Sequence, residues 1–270
     1  SDTGRTVSNA FSGSGGLNGV YWANSFEVGK HLSLGVQAEY VFGSLKDSRF
    51  VDFQDRNFLD TRTEDETEVG DLRFQYGVQY FHQFEDYNFI GGGLTFTNST
   101  NLDANLKRAK YTVLVSQPVD TLRGSEEREA QITLPSEFQL GLSYGKMHED
   151  LINPAWAVNM DVRLSQGSSF RDVDGRAPLQ DNTHLEVGGF MVPRYTFEGL
   201  ERSNQYWNIV EYRIGGYWRQ TPYLVNGEQV EDLGLSIGAG IPLRQRNMGP
   251  GEVKMTSLNL GVILGQRGTT

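Results

Sequence analysis

From Leu32 to Phe42 the chain alternates, with Leu32, Leu34, Val36, Ala38, Tyr40 and Phe42 separated by Ser33, Gly35, Gln37, Glu39 and Val41. Successive side chains of a strand point to opposite faces, so this segment predicts a strand with one apolar face and one almost wholly polar or small. The pattern returns with Leu72, Phe74, Tyr76, Val78 and Tyr80 set against Asp71, Arg73, Gln75, Gly77 and Gln79. It returns from Phe138 to Tyr144, and in Trp156, Val158, Met160, Val162 and Leu164 against Asn159, Asp161 and Arg163. Val210, Tyr212, Ile214 and Trp218 face away from Glu211, Arg213 and Arg219, and the cleanest stripe is Leu233, Leu235, Ile237, Ala239, Ile241 and Leu243. Weaker members run from Gly19 to Val28, Phe89 to Thr97, Leu185 to Pro193 and Ser257 to Gly265. The expectation is about ten antiparallel strands, long enough to span a bilayer when tilted, and no helix.

A soluble β-sandwich also alternates. Against it stand strand lengths well beyond the five or six residues typical of globular sheets. The polar faces also carry nearby charges of both signs, Asp71 with Arg73, Asp161 with Arg163 and Glu211 with Arg213, which suit ion pairs in a hydrated lumen. Tyr21, Trp22, Tyr87, Trp156, Tyr206 and Trp207 fall near predicted strand ends, where an interfacial aromatic girdle would place them. The fold class expected is an all-β transmembrane antiparallel barrel.

The connections set its orientation. Gly29-Lys30 and Glu85-Asp86 are tight turns and Lys146 to Pro154 is a modest one, whereas Leu45 to Val69, Asn98 to Pro135 and Gly167 to Asn182 read as long, polar loops. Outer-membrane barrels have short periplasmic turns and long external loops, so the long connections are assigned outside. The Asn226-Gly227 hairpin then lies outside, with Arg194 to Gln205 and Arg244 to Val253 at the periplasmic side. On this reading the first strand enters from outside and the last exits to outside. A finished bacterial barrel has both termini periplasmic, so residues 1–270 are expected to be one barrel domain lacking an odd number of strands at each end and a closing C-terminal aromatic residue.

Composition alters this picture little. A mean hydropathy of -0.46 and 37% hydrophobic residues look soluble, but a barrel shows lipid only every second residue. The 32 glycines, 12 tyrosines and 15 phenylalanines are the recurring small and aromatic residues expected of barrel hairpins. A net charge of -10 supplies no basic face for nucleic acid. The chain has no cysteine, which fits an oxidising compartment and decides nothing by itself.

Gly13-Ser14-Gly15-Gly16-Leu17-Asn18, His31-Leu32-Ser33-Leu34-Gly35 through Tyr40-Val41-Phe42-Gly43-Ser44, Leu134-Pro135 and Gly141-Leu142-Ser143-Tyr144 form one set of motifs. Tyr212-Arg213-Ile214-Gly215-Gly216-Tyr217, Leu235 to Leu243, Leu258-Asn259-Leu260-Gly261 and Gly265-Gln266-Arg267-Gly268 form another. Together they resemble the FadL-type, long-chain fatty-acid transporter-like outer-membrane proteins of the Bacteroidetes kind. The resemblance implies fourteen strands, an N-terminal plug in the lumen and a lateral opening for apolar ligands; three strands before this chain and one after would agree with the orientation. It rests on glycine and turn patterns, and so bears on fold more than on substrate.

Candidate chemistry is sparse. Gly141-Leu142-Ser143-Tyr144-Gly145 and Gly234-Leu235-Ser236-Ile237-Gly238 match the G-x-S-x-G nucleophile pattern, but that motif needs a strand-to-helix elbow and both copies sit within predicted strands. His31, His82 and His148 fall beside periplasmic turns as interfacial rings, and His184 faces inward without an evident serine and acid. Asp172-Val173-Asp174-Gly175 opens like a calcium loop but lacks its later ligands, and Glu64, Asp65, Glu66 and Glu68 read as a solvated external run, with a cation bridge to lipopolysaccharide phosphates as the alternative. No metal, cofactor or catalytic group is assigned.

Three functions follow as expectations for a protein of the bacterial outer membrane, in contact with its lipid and lipopolysaccharide. The first is a FadL-like channel for hydrophobic small molecules, with Phe81, Phe190, Ile209 and Tyr217 as inward-facing ligand candidates and Asp71, Arg73, Asp161, Arg163, Glu211 and Arg213 as lumen ion pairs. The second is a barrel subunit of a larger secretion or assembly machine with partner proteins, of the type IX secretion or barrel-assembly kind. The third is an outer-membrane hydrolase.

Overall fold

The computed structural model describes residues 7–53, 59–114, 117–149, 154–194, 203–249 and 252–269. They form twelve antiparallel strands in a single sheet. In chain order these are β1 (Val7–Val28), β2 (Leu32–Phe53), β3 (Asp60–Gln83), β4 (Asn88–Thr97), β5 (Thr100–Leu114) and β6 (Gln117–Leu134). There follow β7 (Glu137–Met147), β8 (Pro154–Ser165), β9 (Asn182–Met191), β10 (Glu211–Val225), β11 (Glu228–Gly249) and β12 (Glu252–Gly268). Among the described residues two short 3-10 turns, Gly167–Ser169 and Ser203–Asn208, interrupt the strands and connections.

Ten strands run side by side in the order β1-β2-β3-β4-β7-β8-β9-β10-β11-β12. The sheet is open: among the described residues β1 and β12 are its two edges and do not pair with each other. Register explains why the alternation in the sequence is so regular. Phe26, Leu34, Val78, Leu94, Leu140, Val162, Leu185, Trp218 and Leu233 lie directly opposite one another across nine strands. One step along β1 and its neighbours, the other face reads Ser25, Gly35, Gly77, Thr95, Gln139, Arg163, His184, Arg219, Asp232 and Arg267. The apolar face is bare, with Ile214 and Leu235 each 69% exposed. Large side chains left facing outward on every strand of such a path are a lipid-facing surface, and the polar face is the lumen wall.

Two expectations are corrected here. Leu45 to Val69 and Asn98 to Pro135 are not long loops. The first continues β2 and β3 upward, with Leu45 to Val51 paired to Thr67 to Thr61, and the second is the β5–β6 hairpin hung on the upper half of β3. β3 is thus forked: Gln75 to Gln83 pair with β4, whereas Asp60 to Val69 pair with β5. The hydrophobic alternation stops at the membrane border, so these segments read as loops, but charge alternates in its place: Lys46 meets Glu66 at 2.9 Å and Arg108 meets Asp65 at 2.6 Å. Cross-strand opposite charges support a hydrated sheet as apolar pairs support a buried one. The second correction concerns Ile209, which precedes β10 and is buried in the turn after Ser203–Asn208 instead of lying on a strand.

The tight connections follow local chemistry. At Asn226-Gly227 both residues take positive φ, +54° and +88°, the two-residue geometry that joins strands with the right twist. Gly29 (φ +77°) serves the β1–β2 turn. The small hydrophobic core lies above the apolar band: Val41, Val69, Leu102, Ala104 and Ile132 are buried together, with Leu134, Phe170 and Val173 packed against them.

Candidate functional site

Two places on the lumen side carry more than wall. The first is a concave cavity of about 640 Å³ over β2, β3, β4, β7 and β8. Its inner lining alternates out of the same strands that face lipid: Ser33, Gly35, Gly77, Gln79, Gly91, Gly93, Thr95, Gly141, Ser143, Asn159 and Asp161, with Phe81 and Phe89 at one side. The run Gly91-Gly92-Gly93 in β4 strips side chains from the centre of the floor. Phe81 and Phe89 are joined by the Glu85-Asp86 turn and meet with ring centroids 5.8 Å apart. Phe89 is buried because Gly145 lies beneath it, where a Cβ would come within 2.7 Å of the ring. Phe81 keeps 46% of its surface exposed to the lumen.

The four predicted ligand residues do not gather there. Phe81 lines the cavity. Phe190 is half-buried on β9 opposite Ala157 and Arg213. Tyr217 lies on β10 over Gly234, with the Arg219 guanidinium 4.3 Å from its ring centroid, and Ile209 is in the turn before β10. Phe89 escaped the sequence reading, although its position one tight turn from Phe81 was a usable signal.

Of the three predicted charge pairs, one is in contact, Arg213 Nε donating to Glu211 at 2.6 Å. Asp71 instead accepts backbone N–H groups from Leu72 and Asp103, at 2.6 and 3.3 Å. Arg73 sits opposite Glu39 in the register, and its Nε is buried without a hydrogen-bond partner. Arg163 donates to Gln139 at 3.3 Å, and Asp161 lies over Gly141, where an added Cβ would be 2.7 Å from its Oδ1. The ion pair that sequence spacing could not reveal joins neighbouring strands: Arg219 donates twice to Glu186 Oε1, at 2.6 and 3.0 Å.

The second place is the external wall built by the upper halves of β2 and β3 with β5 and β6. The segment 167–181 crosses it as a strap. Arg171 exchanges backbone hydrogen bonds with Thr133 on β6, at 3.0 and 3.2 Å, and Phe170 and Val173 pack on the core that contains Leu102 and Ile132. Asp174 accepts from Arg108 at 3.1 Å and Arg128 at 2.6 Å. Asp172 accepts the N–H groups of Asp174 and Arg176 and the Arg176 side chain. The carboxylates that resemble a calcium loop are therefore engaged by arginines and the turn's own backbone, and among the described residues no cluster of three metal-ligating side chains occurs. The hydrogen bond from Arg108, reinforced by the charges of Arg108, Arg176 and Arg128, holds the Asp174 carboxyl below its ordinary value. Asp181, at the strap's far end, is lowered in the same sense by the Ser168 hydroxyl and N–H. On the wall's outer side the hydrogen bond between Lys46 and Glu66 raises the amine and lowers the carboxyl.

The remaining candidates are placed as follows. Ser143 and Ser236 lie within the continuous strands β7 and β11. His31 and His82 meet each other through their Nδ1 atoms at 3.4 Å beside the β1–β2 turn. The run Glu64 to Glu68 is part of β3 instead of a loop.

Comparison with known proteins agrees with this architecture. The family model described as BamG matches residues 1–270. Among solved structures, the chain is similar to the RagAB peptide importer in its closed-closed state, with a TM-score of 0.55 and 13% identity over 96% of this chain and 30% of that one. It is also similar to the CymD monoaromatic hydrocarbon channel, with a TM-score of 0.53 and 13% identity over 97% of this chain and 72% of that one. No curated protein sequence matches significantly. The fold is that of outer-membrane barrels, and the protein is located in the bacterial outer membrane.

Proposed function

Because the chain belongs to the BamG family over its whole length, we infer that it serves as an outer-membrane barrel subunit of a larger assembly machine, of the barrel-assembly kind. The observation that carries this reading is the external wall. Beyond the membrane this chain continues its sheet upward and gives it a separate buried core, where Leu102 has no exposed surface. It then ties the wall to the β8–β9 connection through Asp174. A rigid surface of that kind, laced with ion pairs of both signs, is suited to docking protein partners. The test is gentle affinity purification of the full-length protein from native membranes, combined with depletion. Recovery of partner outer-membrane proteins, and loss of other barrels from the membrane on depletion, is the expected result. A solitary protein whose depletion leaves the barrel population unchanged refutes it.

One observation favours a second reading, a conduit for hydrophobic small molecules. The lumen cavity is of ligand size and sets two phenylalanines against a glycine floor. The similarity in fold to a hydrocarbon channel and the FadL-type motifs support the same reading. Uptake of a varied panel of hydrophobes in cells with and without the full-length protein tests it, and unchanged uptake throughout removes it.

A further inference from the structure

We propose that the lumen cavity takes a ligand with a flat apolar body and a single cationic head, and that Asp161 selects the charge. This rests on the conduit reading. The body is set by shape: Gly91, Gly93 and Gly141 leave a bare floor, and the Phe81 and Phe89 rings form one wall. The floor and the rings together offer an apolar bed of the kind a planar ring can lie against.

The head is set by electrostatics. Among the described residues no hydrogen bond or ion pair engages the Asp161 carboxylate, although arginines stand near it. Arg163, two residues along the same strand, donates to Gln139. Glu186, which lies opposite Asp161 on β9, takes Arg219. Neither arginine is engaged with Asp161, which is the one charged side chain lining the cavity among the described residues. Gly141 makes this placement possible, because a Cβ there would lie 2.7 Å from Asp161 Oδ1 and push the carboxylate off the wall. The other polar side chains that line the cavity, Gln79 and Asn159 among them, are neutral. A single negative charge beside an apolar bed focuses its field into the cavity, and the exposed face of Phe81 is itself favourable to a cation. A carboxylate-headed ligand such as a fatty acid meets repulsion at the same place.

The test uses the full-length protein in detergent and three fluorescent probes with one ring system: 1-naphthylmethylammonium, 1-naphthalenemethanol and 1-naphthoate. The ammonium is expected to bind about fivefold tighter than the alcohol, the size of a partly solvated ion pair, and the naphthoate to bind weakest. Asp161→Asn should abolish the ammonium preference and leave the alcohol unchanged. Gly141→Ala, which adds a methyl to the floor and displaces the carboxylate, should narrow the ammonium preference over the alcohol, and Phe81→Ala should weaken all three probes together. Heat-modifiable gel mobility confirms that each variant is folded. Equal binding of the three probes, or a preference that survives Asp161→Asn, overturns the charge selection while the conduit reading stands. Failure of every probe to bind overturns both.

Discussion

Replacing Ile237 with arginine places a charge near the middle of the apolar band. On β11 the outward positions run from Leu233 to Leu243. Ten residue steps at about 3.4 Å, tilted by about 40°, rise about 26 Å, which matches the hydrophobic height of an outer-membrane barrel. Ile237 lies close to the centre of that rise, is 62% exposed, and is flanked in register by Ile214 and Val262, both apolar and outward. Its register neighbours among the described residues offer no carboxylate. The expected cost is about 2–4 kcal/mol, the range for arginine at the bilayer midplane. The neighbouring Ser236 faces the lumen beside Gly215, so Ser236→Gln should cost under about 1 kcal/mol. The assay is urea-dependent folding of the full-length protein into vesicles, followed by intrinsic tryptophan fluorescence. Equal costs at the two positions, or an Ile237→Arg penalty below about 1 kcal/mol, would refute the assignment of faces.

Asp174→Asn should weaken the strap by about 1 kcal/mol through loss of its partly exposed contacts to Arg108 and Arg128, read as faster hydrogen exchange in residues 167–181 with the membrane strands unchanged. The same link is pH-dependent. The Asp174 carboxyl is depressed in the folded state, so its contribution is present above the unfolded value near 3.9 and is lost as pH falls through the lower folded value; proteolysis of the strap should be unchanged between pH 5 and 8 and rise only in strong acid. Leu102→Ala, at a position with no exposed surface, should cost about 2–5 kcal/mol locally and loosen the β5–β6 hairpin before any membrane strand, visible as segment-resolved exchange. Gly145→Ala would bring a Cβ within 2.7 Å of Phe89 and closer still to the Trp156 carbonyl, and should lower stability by about 1–3 kcal/mol in the vesicle assay.

What the sequence settled by itself was whatever repeats within one strand. Alternation from Leu32 to Phe42 and from Leu233 to Leu243 fixed which side chains share a face, and Gly29, Asn226 and Gly227 fixed where the chain turns, because both are properties of a few consecutive residues. Membrane strands follow from that, since lipid demands an apolar residue at every second position. What the tertiary structure decided was which strand meets which, because pairing joins residues that are distant in the chain. Glu186 and Arg219 lie 33 residues apart on consecutive strands, so only the β9–β10 pairing brings them together, while Asp161 and Arg163, close in sequence and on one face, make no contact with each other and Arg163 turns to Gln139. Leu45 to Val69 read as loop because water, unlike lipid, imposes no apolar alternation; only the pairing of β2 with β3 and of β3 with β5 shows that these charges form a wall. The strap is the extreme case: Phe170, Val173 and Asp174 lie in an irregular segment with no period at all, and their role comes wholly from the hydrophobic core and arginines that β2, β3, β5 and β6 carry to them.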